Sequence, residues 1–318
     1  METGEIKGLC DRIRENVSKV MVGKGDVIDL MIASMISGGH VLLEDVPGTG
    51  KTMLGKTLAR SIGVDFKRVQ FTPDLLPSDL TGINYYNQKT GDFVFRAGPA
   101  FTNILLADEI NRATPRTQSS LLECMEERQI TIDGVTRPLA QPYFVIATQN
   151  PVETQGTFPL PEAQLDRFLI RTSVGYPSTQ EAGGILERFN GESPFDTLEP
   201  VCTQQEICDV EASFRKVFAS EDIERYIVAI VEKTRSDAAV ELGVSPRGSL
   251  AMLRLCKAYA SLRGRGFVAP EDVKYLAPYV FAHRLILRDD YRIRREKPES
   301  VIAGIIGRVE APTENWEA

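Results

Sequence analysis

The nine residues Glu44 to Thr52, EDVPGTGKT, constrain this chain more than any other stretch. They follow the apolar run His40 to Leu43 and precede MLGKTLARSI, which predicts a helix. A strand, a glycine-rich turn and a helix in that order direct successive backbone N–H groups and a helix N-terminus at one point, an arrangement suited to phosphate oxygens. Gly48 and Gly50 bring the permissive dihedrals, and Pro47, Thr49 and Met53 belong to the same cofactor-contacting segment. Lys51 is placed to set a point charge on β- and γ-phosphates, and Thr52 to offer a hydroxyl to Mg²⁺. Asp45 stands where G-x-x-x-x-G-K-[ST] has its first glycine, which puts the exit of the strand at issue more than the cradle.

Around this loop the chain alternates. Ile6, Leu9, Ile13, Val17 and Val20 recur at helical spacing, and after a turn at Gly23 to Gly25 so do Val27, Ile28, Met31, Ile32, Met35 and Ile36. Phe66 to Phe71, Asn103 to Glu109, PYFVIATQNP (ending at Pro151) and FLIRTSV (starting at Phe168) join His40 to Leu43 as strand candidates. Thr114-Pro115 opens a helix with Leu121, Leu122 and Met125 inward, and a further helix is expected near Glu162 to Arg167. Gly91-Asp92 and Asp133-Gly134 carry hairpin chemistry. Five apolar strands alternating with helices predict an α/β fold with a parallel sheet covered on both faces and a ligand beyond the carboxyl ends of the strands. From about Pro177 helical spacing takes over, with Ile207, Val210, Phe214 and Val217 and then Ile223, Ile227 and Ile230, around a loop at Asn190 to Pro200. Residues 1–176 are therefore expected to form the sheet domain and 177–318 an all-helical second domain.

Asp108-Glu109 closes a continuous apolar run, where two carboxylates are hard to justify as packing. Asp108 is suited to the shell of a magnesium ion, and Glu109 to orienting and deprotonating a water. Asn150, ending another strand, can hydrogen-bond a γ-phosphate oxygen and that water; before Pro151 it is also an ordinary turn residue. Arg167 is suited to stabilising charge on a γ-phosphoryl group, in a neighbouring subunit given its place in the chain, with Arg112 and Arg116 as rivals and an ion pair with Asp166 as the structural alternative. Arg247 follows Ser245 and Pro246 at a helix start, where a cation opposes the helix dipole by a few tenths of a kcal/mol and an anion such as a γ-phosphate would offset the cost.

With 318 residues, 42% hydrophobic and 25% charged, the composition is that of a soluble globular protein, and the net charge of -7 weighs against a broad nucleic-acid-binding face. Cys10, Cys124, Cys202, Cys208 and Cys256 lack C-x-x-C spacing, so buried reduced thiols are expected rather than a zinc site. No leader or long apolar run is apparent, making the cytoplasm the expected location.

Together these motifs resemble the AAA+ ATPases, and specifically the MoxR family. DVPGTGKT is similar to the Walker A loop, NILLADE to the Walker B strand, VIATQNP to sensor 1, LPEAQLDRF to the arginine-finger segment and SPR to the sensor 2 helix. NRATPRTQSSLLECMEE and NPVETQGTFPLPEAQLDRFL are especially MoxR-like, and VMVGKGDVI resembles the adenine-contacting segment, which would make Val22 and Gly23 cofactor contacts. The resemblance implies a five-stranded αβα core with a helical C-terminal lid, ATP and Mg²⁺ bound between them, and a ring, usually of six subunits. It further implies a helix-2 insert at about residues 72–100, a pre-sensor-1 hairpin at about 129–139, and chaperone-like work on a protein client with a von Willebrand factor A domain partner. A nucleic-acid-handling motor and a P-loop small-molecule kinase are the competing expectations.

Overall fold

The computed structural model describes residues 1–151 and 155–313; Val152 to Thr154, within the MoxR-like stretch after Asn150, lie outside the described residues. Helices α1 (Thr3–Ser18) and α2 (Gly25–Ile36) form as their periodicity dictates, with Ile6, Leu9, Ile13 and Val17 of α1 buried. Strand β1 (Val41–Glu44) leads through the glycine-rich loop into α3 (Lys51–Ile62), which ends on Gly63 in the left-handed conformation. Next come β2 (Phe66–Gln70), α4 (Pro77–Thr81), and the antiparallel pair β3 (Gly82–Asn87) and β4 (Asp92–Ala97). Its turn is centred earlier than Gly91-Asp92, because Asp92 already pairs with Asn87.

Strand β5 (Ile104–Asp108) precedes α5 (Pro115–Glu127). Thr114 occupies the N-cap position of α5 without its side chain capping a backbone N–H. The hairpin β6 (Gln129–Ile132) and β7 (Val135–Pro138) turns at Asp133 and Gly134, both with positive φ. Strand β8 (Phe144–Gln149), the single turn α6 (Glu162–Leu165), shorter than expected, and β9 (Ile170–Thr172) complete this half.

The sheet order is β2-β5-β8-β1-β9, all parallel. Alternate residues of its strands feed two apolar layers. Leu43, Ile104, Leu106 and Ile146 pack with Leu54 and Leu58 of α3, whereas Leu42, Leu105, Ala107 and Val145 pack with Leu121, Leu122 and Met125 of α5. The α3-side layer continues into the rest of the chain, so that one core joins the sheet to the helical half.

That half contains α7 (Thr179–Arg188), α8 (Gln204–Ser213), α9 (Glu221–Ser236), β10 (Val240–Leu242), α10 (Pro246–Leu262), α11 (Pro270–Phe281), β11 (Ile286–Leu287), α12 (Asp289–Ile293) and α13 (Pro298–Ile306). It is helical apart from the antiparallel ribbon of β10 and β11, whose two or three residues are too short to show alternation in sequence. Helices α1 and α2 pack against α10. Buried Asp29 of α2 lies 3.2 Å from both Arg14 of α1 and Arg263 just after α10. No helix among the described residues is long and apolar enough to cross a membrane.

Candidate active site

At the carboxyl ends of β1, β5 and β8, a cavity of about 470 Å³ is lined by the loop from Pro47 to Met53, by Lys56 and Arg68, and by Asp108, Glu109 and Asn150. The loop has the shape its glycines permit: Gly48 has φ 84° and Gly50, the N-cap of α3, has φ 87°. A Cβ at Gly48 would meet no atom within 4 Å, so the cradle is open. Lys51 Nζ donates to the carbonyls of Asp45 and Val46, each at 3.1 Å, at the base of the loop.

Asp45 resolves the departure from the usual motif. Its backbone does not adopt positive φ, so glycine is not required there. Its buried carboxylate accepts from Val174 N at 2.5 Å and from Gly175 N at 3.2 Å, tying the exit of β1 to the chain leaving β9. An ionised acceptor holding two backbone donors is stronger than neutral pairs would be.

The two acidic residues have separate supports. Thr148 of β8 donates to Asp108 Oδ1 at 2.5 Å and accepts from Glu109 N at 2.8 Å. Asp108 Oδ2 accepts from Arg68 Nε at 3.0 Å and Nη2 at 2.7 Å. Glu109 Oε2 accepts from Gln70 at 2.6 Å and lies 3.1 Å from Arg112 Nη1. Glu109 is left-handed at φ 56°, an uncommon state for a glutamate and one that re-aims its side chain as the strand ends. The geometry thus presents a hydroxyl-backed carboxylate, a second carboxylate suited to hold water, a lysine and the buried Asn150 around one phosphate-sized space.

Arg167 and Arg247 are not in that space. They line a second cavity of about 330 Å³ with Gly38, Gly39 and His40, which precede β1, and Leu169, which precedes β9. This is the amino end of the same strands, roughly 15 Å along the sheet from the loop at strand rise. Both arginines converge on Glu126 at the end of α5: Arg247 Nη2 at 2.5 Å and Arg167 Nη1 at 3.4 Å. The expected ion pair of Arg167 with Asp166 is replaced, because Asp166 is taken by Arg284 Nε at 2.5 Å and by the hydroxyl of Ser245 at 2.9 Å. Ser245 also caps α10 as expected, accepting from Gly248 N at 3.4 Å. Asp166 and Arg284 thus anchor the start of α10 at the end of the sheet away from the loop, and the anion that Arg247 meets within this chain is Glu126. Of the rival arginines, Arg112 faces Glu109 and Arg116 is exposed on the first turn of α5.

Among the described residues, none of the helical half lines the loop cavity. Val22 and Gly23 also lie outside its wall but adjoin it, since Met21 reaches to within 3.5 Å of a Cβ built on Gly50. Gly23, at φ 69°, packs under the side chain of Glu181 of α7, where any Cβ would clash.

Sequence reasoning missed Arg68, Gln70, Thr148 and Glu126. For Arg68 and Gln70 a signal existed: Val69 and Phe71 alternate with them, so an apolar face toward α5 leaves residues 66, 68 and 70 toward α3.

The chain also resembles known proteins along most of its length. Residues 40–170 match the model of the ATPase family associated with various cellular activities (AAA), and residues 232–305 that of the AAA lid domain. The chain is 49% identical to YeaC of Bacillus subtilis, covering 98% of this chain and 97% of that one. It is 39% identical to the chaperone MoxR1 of Mycobacterium tuberculosis, covering 94% of this chain and 81% of that one. A crystal structure from Cytophaga hutchinsonii superposes with a TM-score of 0.91 at 36% identity, covering 98% of this chain and 97% of that one. A glycine loop, two carboxylates and an asparagine at one end of a five-stranded sheet, carried through full-length likeness, lead to one conclusion: this chain belongs to the MoxR family of AAA+ ATPases and is an ATP hydrolase.

Proposed function

We propose that this ATPase works as a subunit of a homo-oligomeric ring, six-membered as is usual for the fold, and couples magnesium-dependent hydrolysis to remodelling or maturation of protein complexes. The observation that carries the reading is the separation of its parts. Lys51, Asp108, Glu109 and Asn150 surround one cavity, while Arg167 and Arg247 stand together at the far end of the sheet, where a neighbour's nucleotide can meet them. In this reading both arginines complete the site of the adjacent subunit, Glu109 activates water, Asn150 orients it, and Val22 and Gly23 border the adenine.

The donor set fits magnesium. Thr52 and Asp108 offer hard oxygens beside the phosphate loop, the donor type that a magnesium ion prefers. Such an ion supplies neutralisation of β- and γ-phosphate charge, complementing Lys51. The core is taken as residues 1–176 and the lid as 177–318. The β3-β4 hairpin, with Tyr86 and Phe93 exposed, and the β6-β7 hairpin are the parts offered to a protein client, with a von Willebrand factor A domain protein as partner.

Three variants test the scheme. Lys51→Ala loses nucleotide binding; Glu109→Gln keeps ATP and loses turnover by a factor of at least about 100; mixed Arg167→Ala and Lys51→Ala subunits recover part of the activity. Wild-type hydrolysis by Glu109→Gln, or no recovery at any mixing ratio, overturns the corresponding role.

A further inference from the structure

Strand β2 carries a cation that the proposed cycle leaves unused. Side chains alternate along a strand, so Phe66, Arg68 and Gln70 share the face toward α3. Phe66 is occupied there, packed where a Cβ on Gly55 would sit only 3.0 Å from its ring. Two residues on, Arg68 stands on the wall of the loop cavity and reaches diagonally to Asp108 on the neighbouring strand β5.

The contact has a distinctive form. Both Arg68 nitrogens, Nε at 3.0 Å and Nη2 at 2.7 Å, fall on one oxygen, Oδ2, while Oδ1 is held by Thr148. A guanidinium usually forks across both carboxylate oxygens. Here it covers only the oxygen that Thr148 leaves, and the arginine side chain is 47% exposed against 13% for the aspartate. The same Nη2 donates to Gln70 Oε1 at 2.9 Å. That bond fixes the amide's polarity, so its nitrogen end points at Glu109 Oε2, 2.6 Å away. One chain of polar contacts thus runs from Asp108 through Arg68 and Gln70 to Glu109.

We propose that Arg68 is a positioning residue of the hydrolytic cycle, a placeholder cation that holds Asp108 Oδ2 until the magnesium carried by ATP competes for that oxygen. Its displacement also removes the bond that fixes Gln70, the amide that shares Glu109 Oε2 with Arg112. The inference rests on the reading in which Asp108 faces the metal. A strut that merely orients Asp108 would have the opposite metal dependence: its loss would weaken magnesium binding, whereas loss of a competitor strengthens it.

The test measures affinity for a fluorescent N-methylanthraniloyl ATP against free Mg²⁺, in the full chain and in Arg68→Gln, Arg68→Lys and Lys51→Ala. For Arg68→Gln the free-Mg²⁺ midpoint falls by about three- to fivefold, the scale of a half-exposed ion pair, while affinity in EDTA also falls because the site loses a cation. Arg68→Lys, with charge but no second nitrogen to share Oδ2, lies between. A midpoint that rises or stays put in Arg68→Gln overturns the proposal. Undiminished nucleotide binding by Lys51→Ala would instead show that the loop site itself was misassigned.

Discussion

Restoring the usual glycine at the head of the phosphate loop, Asp45→Gly, should damage this protein rather than improve it. The Asp45 carboxylate is buried and accepts from Val174 N and Gly175 N. The variant strips two backbone donors of a charged partner, at about 1–2 kcal/mol each after water enters the space. It also adds a flexible residue where no positive φ is needed, at about 0.5–1 kcal/mol. The sum is about 2.5–5 kcal/mol, which lowers a urea midpoint by about 0.8–1.7 M for a slope near 3 kcal/mol/M. Because the same contacts aim the strand that delivers the loop, ATP affinity falls with stability. Asp45→Asn, which keeps an oxygen acceptor but no charge, should lose about half as much. Urea unfolding at pH 7 and nucleotide titration measure both quantities. An Asp45→Gly midpoint equal to or above that of the wild type would refute the idea that the carboxylate holds the strand exit.

Other perturbations have equally definite outcomes. Burial pushes the His40 pKa down to about 4, and its ring accepts from Val145 N and faces the Met125 carbonyl, both at 3.0 Å. The unfolded chain thus takes up a proton near pH 6.5 and the folded one only near 4, so this contribution is complete above pH 6.5 and declines as pH falls toward 4, by about 3 kcal/mol. Urea midpoints at pH 7 and 4.5 should separate more in the wild type than in His40→Gln; equal separations would sink the assignment. Arg284→Ala takes the guanidinium from Asp166 and from the carbonyls of Asp166, Phe168 and Leu169, leaving Ser245 on the Asp166 carboxylate and the His283 ring on the Phe168 carbonyl, and should cost about 3–5 kcal/mol in the same measurement. Gly48→Ala meets no steric obstacle but forces a left-handed alanine, so stability should fall by no more than about 1–2 kcal/mol while ATP affinity drops about tenfold. Unchanged affinity would show that the φ of 84° is not needed for binding.

The legible parts of this molecule are those whose cause is local. Helices α1 and α2 follow from apolar spacing, and β5 and β8 from unbroken apolar runs buried on both faces. The loop follows from two glycines ahead of a lysine. What escaped depends on partners distant in sequence. Arg284 lies in HRLIL and is buried among carbonyls and a carboxylate 115 to 118 residues away, beside the nearby carbonyl of Val280. Glu126 looks like one more charge at the end of an amphipathic helix, yet it gathers both Arg167 and Arg247. For Arg247 the helix start is legible in Ser245-Pro246, but the end of the sheet to which that helix is fastened is not, because Asp166 and Arg284 hold it from afar.

That fastening has a mechanical corollary. Asp166, immediately before Arg167, is gripped by Arg284 and by the hydroxyl that caps α10. The two guanidiniums therefore sit on one rigid lever instead of two independent arms. Any tilt of the rear bundle that keeps these bonds must swing both together, so in the proposed ring a subunit could not withdraw one of them from an adjoining active centre while leaving the other engaged.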